Sequence, residues 1–355
     1  MRLSVSVTPE SWSRATSPHE AALRTIEQAR LADAAGIDTF WVSEDPDGWD
    51  AIAILAAAAV QTERIRLATS VVNPFYRHPS LIAASISTID RLSGGRARLG
   101  LGRGQTEWYG AALGMEVSAP LARLEETISL LRQWWDPPHE AESHGPIGVQ
   151  GWRRSFGPIQ NRPPIYLAAA GKHAVALAGR AADGIIFNDL ASVQSISTII
   201  HAASAAARDA GRNPGDLEFI ARPRIVVTDE PEREYERIKN AIAIIYTLPG
   251  MGRLIDVKGF DVEAILADVR RVMKTDEIIG KGGAFLELRE GGDLPAARKR
   301  IPDDLVANLA MIGTLGEIRP RIAAYAELGV SEIAWRVPDL TRSLGWEASA
   351  LLLQK

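Results

Sequence analysis

The chain predicts an α/β fold: a single (β/α)8 TIM barrel with a helical insertion after strand 7. Short apolar strand patterns alternate with helical ones from Leu3 to beyond Asp229. Strands separated by helices of that length pair in parallel through right-handed crossovers. No linker or composition shift divides the 355 residues, so one repeat of about eight units fits better than two doubly wound halves. Residues 1–355 are therefore expected to form one domain. The chemistry of such a barrel sits at the carboxyl ends of its strands.

The elements follow in order. Leu3 to Val7 alternates as a short strand, and Ser17-Pro18-His19-Glu20 has the S-x-x-E form of a capping box. Leu23, Ile26 and Ala29 continue at helical spacing until Gly36 ends the helix. Ile37 to Ser43 is a strand, Trp49 to Gln61 an alanine-rich helix, and Ile65 to Val72 a third strand. Pro79 to Leu92 is a helix, Ala97 to Leu101 a strand, and Leu121 to Trp135 a long helix. Ile165 to Ala169, Lys172 to Ala182 and Gly184 to Asn188 add strand, helix and strand. A helix over Val193 to Ala210 leads to one strand near Phe219 to Val227. Asp136 to Arg162 reads as a polar surface loop. Residues 232–300, broken by Pro249-Gly250 and several later glycines, read as the insertion, serving for packing, for an oligomer contact or as a substrate lid.

Composition narrows the function. At 46 % hydrophobic and 24 % charged residues the chain can bury a large core. A formal net charge of −4 gives no reason to expect nucleic acid or an acidic membrane surface. No apolar run approaches the ~18 residues that span a bilayer. With no cysteine, thiolate nucleophiles and Cys-ligated metals are excluded, and six scattered histidines show no metal-ligand spacing. The expectation is a cytoplasmic protein, without a metal site, acting on a small molecule.

The richest segment is Arg64 to Gln105. Its last strand ends in alternating Gly100, Gly102 and Gly104, where bare backbone suits close approach of a ligand. A dinucleotide fingerprint is the competing reading. It fails because Gln105 occupies the position of the third required glycine and several βα units precede the motif.

Four pieces, in order, are FWVSED (Phe40 to Asp45), ATSVVNPFYRHP (Ala68 to Pro79), LGLGRG (Leu99 to Gly104) and PPIYLAAAGKHAVALAGRAADGII (Pro163 to Ile186). Together they resemble the luciferase-like flavin and deazaflavin oxidoreductase superfamily. The likeness is greatest to its branch using coenzyme F420, typified by methylenetetrahydromethanopterin reductase and glucose-6-phosphate dehydrogenase. The resemblance implies a bulged third strand with a non-prolyl cis peptide, here Ser70-Val71, supporting the middle of a deazaflavin ring. It implies that Gly102, Arg103, Gly104 and Gln105 approach the pyrimidine edge of that ring. Ala169, Ala170, Gly171 and Lys172 pass from a strand into a helix, and free amides at such a helix start suit a phosphate.

Glu44 and Asp45 end the second strand and are the candidates for acid–base work. Adjacent strand residues face opposite ways, so only one of them aims at the cofactor. Asp45 stands where the sugar-phosphate dehydrogenases have a histidine, and Gln105 where they have a glutamate. Both departures argue against glucose-6-phosphate oxidation and favour reduction of a C=C, C=N or C=O bond. A buried carboxyl beside an apolar ring can carry the proton. The plainer alternative is that Asp45 or Asp47 caps the next helix. Trp49, Glu107 and Trp108 are candidates for the substrate wall, whereas Arg77 and His78 read as structural. The resemblance also implies a homodimer. Two further readings remain open: an FMN-dependent monooxygenase using O2, and a non-catalytic cofactor-binding paralogue.

Overall fold

A computed structural model describes residues 1–8, 17–44, 48–104, 110, 113–283 and 285–353. Eight parallel strands close a barrel: β1 (Arg2–Val7), β2 (Thr39–Val42), β3 (Arg66–Thr69), β4 (Ala97–Leu101), β7 (Ile165–Leu167), β8 (Gly184–Ile186), β9 (Glu218–Ala221) and β12 (Glu332–Arg336). Around the barrel they run β1-β12-β9-β8-β7-β4-β3-β2. The (β/α)8 expectation holds, and β9 is the seventh barrel strand. Most of the buried apolar side chains lie between this sheet and its helices.

Local chemistry accounts for the element ends. The Ser17 capping box starts helix Pro18–Ala34, and His78 Nδ1 accepts from the Ser80 amide to start Pro79–Ser93. Asp50 caps Ala51–Ala59 by accepting from the Ile52 and Ala53 amides, so that helix begins later than Trp49.

Two sequence expectations are corrected. Phe219 to Val227 is not one strand: β9 ends at Ala221, and β10 (Ile225–Val227) pairs outside the barrel with β11 (Met311–Gly313). Pro223 sits between them and has no amide to continue the ladder. The polar stretch 136–162 holds a small antiparallel pair, β5 (Glu140–Ala141) and β6 (Trp152–Arg153). Glu126 anchors that stretch, accepting from Ser143 Oγ at 2.6 Å, the Ile147 amide at 2.8 Å and the Gly148 amide at 2.9 Å.

Helices between Pro231 and Leu309 intervene between β10 and β11. They carry an apolar cluster of their own, to which Leu190 and Ala170 from the barrel loops contribute. Ser192 ties the insertion down, its amide donating to Leu254 O at 3.0 Å and its hydroxyl to Asp256 O at 2.6 Å.

Inside the barrel, Arg98 is 1 % exposed and donates to Thr39 Oγ1, Glu332 Oε2 and Glu218 Oε2 at 2.7, 2.8 and 2.9 Å. Its guanidinium lies over the rings of Trp41 and Tyr166. Charge, aromatic faces and hydrogen bonds together plug the amino-terminal end. An apolar layer of Trp41, Ala68, Tyr166, Ile186, Ile220 and Ala334 sits above the plug.

Candidate active site at the barrel mouth

Alternation along the strands sets what lies above that apolar layer. Two residues beyond Trp41, Ile186, Ile220 and Ala334 come Ser43, Asn188, Arg222 and Arg336, and Ser6 lies beside Arg336 on β1. Inward positions repeat every second residue, so the mouth is lined by small and cationic groups over an apolar floor.

The bulge in β3 is visible in its register. Ala68 pairs with Arg98, and four residues later Val72 bridges Leu101, only three residues beyond Arg98. One extra residue on one strand is a β-bulge. The Ser70-Val71 peptide within it is cis. The Thr69 hydroxyl bonds the Gly100 backbone on both sides, donating to its carbonyl at 2.9 Å and accepting from its amide at 3.0 Å. Ser70 Oγ accepts from Arg222 Nη1 at 2.8 Å.

The bulge explains two of the three glycines differently from the sequence reading. A Cβ on Gly100 would overlap the Thr69 carbonyl oxygen, and one on Gly102 would lie 2.6 Å from Val71 Cγ2. The neighbouring strand, rather than a ligand, excludes side chains there. Gly104, with φ of +63°, needs glycine for its left-handed backbone. Arg103 is exposed, and its Nη2 lies 4.0 Å from where a Cβ on Gly250 of the insertion would be.

Glu44 follows β2 with its side chain 3 % exposed. Arg77 clasps it, Nε donating at 3.0 and 3.1 Å and Nη2 at 2.9 Å. Arg77 also reaches Asp50 at 2.8 Å. Burial raises the Glu44 carboxyl pKa, and the hydrogen bonds and charge of Arg77 only partly offset it. Arg77 thus is structural in the sense expected, and its partner is one of the two acid–base candidates.

Ala169, Ala170 and Gly171 join β7 to helix Lys172–Ala181. Gly171 is its N-cap with no side-chain cap, and a Cβ there would meet nothing within 4 Å. Such an open, uncapped helix start suits an anion. Ala169 is buried, Ala170 packs on the insertion's cluster, and Lys172 is exposed. Trp49 packs on the helix-side core, its buried indole nitrogen having no hydrogen-bond partner among the described residues. Asp45, Asp47, Gln105, Glu107 and Trp108 lie outside the described residues.

A group not anticipated from sequence completes the mouth. Asp189, just past β8, accepts from the Tyr246 hydroxyl of the insertion at 2.8 Å, and that hydroxyl accepts from the Leu190 amide at 2.8 Å. Arg224 Nε donates to Asp339 Oδ2 at 2.7 Å. Burial pushes the Asp189 carboxyl up, but Arg336, Arg224 and Arg222 outweigh it and hold its pKa low. The signal that could have found Arg222 and Arg336 is their place two residues beyond apolar inward positions of barrel strands.

Known proteins match most of this chain. A 5,10-methylenetetrahydromethanopterin reductase of Methanolobus tindarius is 26 % identical over 320 residues, covering 89 % of this chain and 90 % of that protein. An F420-dependent glucose-6-phosphate dehydrogenase of Beutenbergia cavernae is 30 % identical over 234 residues, covering 61 % of this chain and 68 % of that one. Among solved structures, the coenzyme F420 dependent tetrahydromethanopterin reductase of Methanopyrus kandleri superposes with a TM-score of 0.74 at 19 % identity, covering 99 % of this chain and 96 % of that one. A type II Baeyer-Villiger monooxygenase of Pseudomonas putida, in complex with FMN, gives 0.66 at 18 % identity over 100 % and 97 %. The family model for luciferase-like monooxygenases matches residues 1–332. The chain is a member of the luciferase-like monooxygenase family.

Proposed function

We propose that this chain is a deazaflavin (coenzyme F420)-dependent oxidoreductase that reduces a C=C, C=N or C=O bond of a small organic substrate. The observation that carries the reading is the uncapped helix start at Gly171, past the carboxyl end of β7, with open space where a Cβ would be. The likeness to the F420-dependent glucose-6-phosphate dehydrogenase, over 61 % of this chain, supports it. When bound, the deazaflavin supplies hydride chemistry at its C5 carbon. The residues present fit such a group. The backbone of Ala169, Ala170 and Gly171 would hold its phosphate, with Lys172 beside them. Ser70, Val71, Gly102, Arg103 and Gly104, with Gln105, would bound the ring.

This chain's own contribution is orientation, exclusion of water and movement of a proton. Glu44, buried and raised in pKa, or Asp45 beside it, donates the proton to the substrate atom next to the one reduced. Trp49, Glu107 and Trp108 are assigned to the substrate wall. A homodimer and a cytoplasmic location belong to the same proposal, and light scattering reads the former.

The test is fluorescence titration of the purified protein with oxidised deazaflavin and, separately, FMN. Micromolar or tighter binding of deazaflavin alone is the expected result. Tight FMN binding with weak deazaflavin binding replaces the reading with a flavin monooxygenase, in keeping with the FMN-bound structural neighbour.

A further inference from the structure

Ser6 on β1 and Arg336 on β12 are register partners. Ser6 is 1 % exposed, and among the described residues its hydroxyl has no hydrogen-bond partner. Buried polar groups are nearly always paired, so a lone one is open to a partner that a bound group or a water supplies. Arg336 stands beside it with its side chain 25 % exposed. Among the described residues its guanidinium makes no hydrogen bond, and its one ion pair is with Asp339 at 3.8 Å.

The nearby carboxylates are engaged elsewhere. Asp339 takes Arg224 at 2.7 and 3.3 Å and Arg342 at 2.7 Å. Asp189 takes the Tyr246 hydroxyl, with Arg224 at 3.9 Å. Among the described residues, Arg336 has no ion pair shorter than 3.8 Å, whereas Arg224 is bonded to Asp339 at 2.7 Å and Arg222 to Ser70 at 2.8 Å. Burial lowers its pKa, and repulsion from Arg224 and Arg222 adds to the effect. A partly exposed guanidinium with its donors so little engaged is free to take an anion.

We propose that Arg336, with Ser6 beside it and Arg222 adding charge to the mouth, forms a subsite for a carboxylate group of the substrate. A guanidinium fork presents parallel N–H donors that match a carboxylate bidentately, and the Ser6 hydroxyl donates a further bond. The inference rests on the mouth being the substrate chamber of a deazaflavin enzyme. It narrows the substrate class to unsaturated or carbonyl-bearing carboxylic acids.

The experiment titrates deazaflavin-loaded protein with acetate, propionate and benzoate and with their neutral amides, followed by saturation-transfer NMR. At least one acid binds, its amide binds at least about tenfold more weakly, and Arg336→Gln weakens the acid by a similar factor. Loss of a charge-assisted bidentate contact is worth about ten- to a hundredfold. Deazaflavin affinity and Tm are unchanged in that variant. Arg336→Lys, which keeps the charge and loses the fork, falls between, and it decides the matter if the glutamine variant folds poorly. Equal binding of acid and amide, no binding of any acid, or full acid affinity in both variants overturns the subsite. Weakened deazaflavin binding in Arg336→Gln also overturns it, because the arginine then serves the cofactor. If the wild-type protein binds no deazaflavin, the cofactor reading fails, and the same titration of the cofactor-free protein still decides the subsite.

Discussion

Arg222 reaches across the barrel mouth from β9 to donate to Ser70 Oγ at 2.8 Å. In the strand order β9 and β3 stand four places apart, diametrically opposed in a ring of eight. One side chain thus braces the bulge of β3 against the opposite wall. Ser70→Ala and Arg222→Met are each expected to lower unfolding free energy by about 1–3 kcal/mol. The double variant should cost clearly less than their sum, because both remove one bond. Urea denaturation of the four proteins reads the cycle; additive losses would mean that the bond contributes nothing.

Glu44 and Arg77 form the second pair on which the mouth depends. Removing Arg77 leaves a carboxylate with a 3 % exposed side chain uncompensated. Arg77→Met should cost about 3–5 kcal/mol, and adding Glu44→Gln should recover most of it. Thermal unfolding of the single and double variants tests this. No recovery in the double variant would show that the loss comes from packing instead.

Gly100 admits no side chain, since a Cβ would overlap the Thr69 carbonyl oxygen. Gly100→Ala is expected to destabilise by about 1–3 kcal/mol or more. Gly36→Ala, strained only through its φ of +72° with nothing near the new Cβ, should cost about 1 kcal/mol. Chemical denaturation ranks the two, and the reverse order would contradict the packing argument.

Gly171 can accept a side chain, with φ of −77° and open space around its Cβ. Gly171→Asp should leave Tm equal or slightly raised, because aspartate caps helices well. It should weaken deazaflavin binding at least about tenfold, because the new charge meets the phosphate. Undiminished affinity in the fluorescence titration would move the phosphate elsewhere.

Glu126 supplies a pH signature. Burial opposes its ionisation, yet Ser143 and the Gly148 and Ile147 amides outweigh burial and lower its pKa below the usual glutamate value of 4.5. A carboxylate depressed on folding stabilises above its unfolded pKa, and that contribution disappears as pH falls through the folded value. Glu126→Gln should therefore reduce stability at pH 7 and flatten its decline below about pH 4.5. A thermal-unfolding series from pH 3 to pH 7 shows whether the wild-type decline in that window is steeper.

Local chemistry made much of this protein legible before any contact was known. The Ser17 capping box, the proline at the start of helix Pro79–Ser93 and the glycine-ended strand β4 are short-range features, and each appears where the pattern placed it. Alternating strands and helices left few topologies besides the closed parallel barrel. The helix start at Gly171 and the position of Glu44 after β2 were likewise legible from contiguous motifs, whereas the bulge at Ser70-Val71 was expected only through the family resemblance.

Closure of the barrel decided the rest. Why Gly100 and Gly102 are bare depends on Thr69 and Val71 of the adjacent strand, about 30 residues away in the chain. The pairing of Arg77 with Glu44, of Arg222 with Ser70 and of Tyr246 with Asp189 spans 33, 152 and 57 residues. No periodicity encodes such partners, since side-chain pairing over those distances exists only once the sheet has closed and its register has chosen which alternate residues face inward. The gathering of Arg222, Arg224 and Arg336 at the mouth is a property of that closed ring. Three arginines of an acidic chain meet there because β9, its continuation and β12 end side by side.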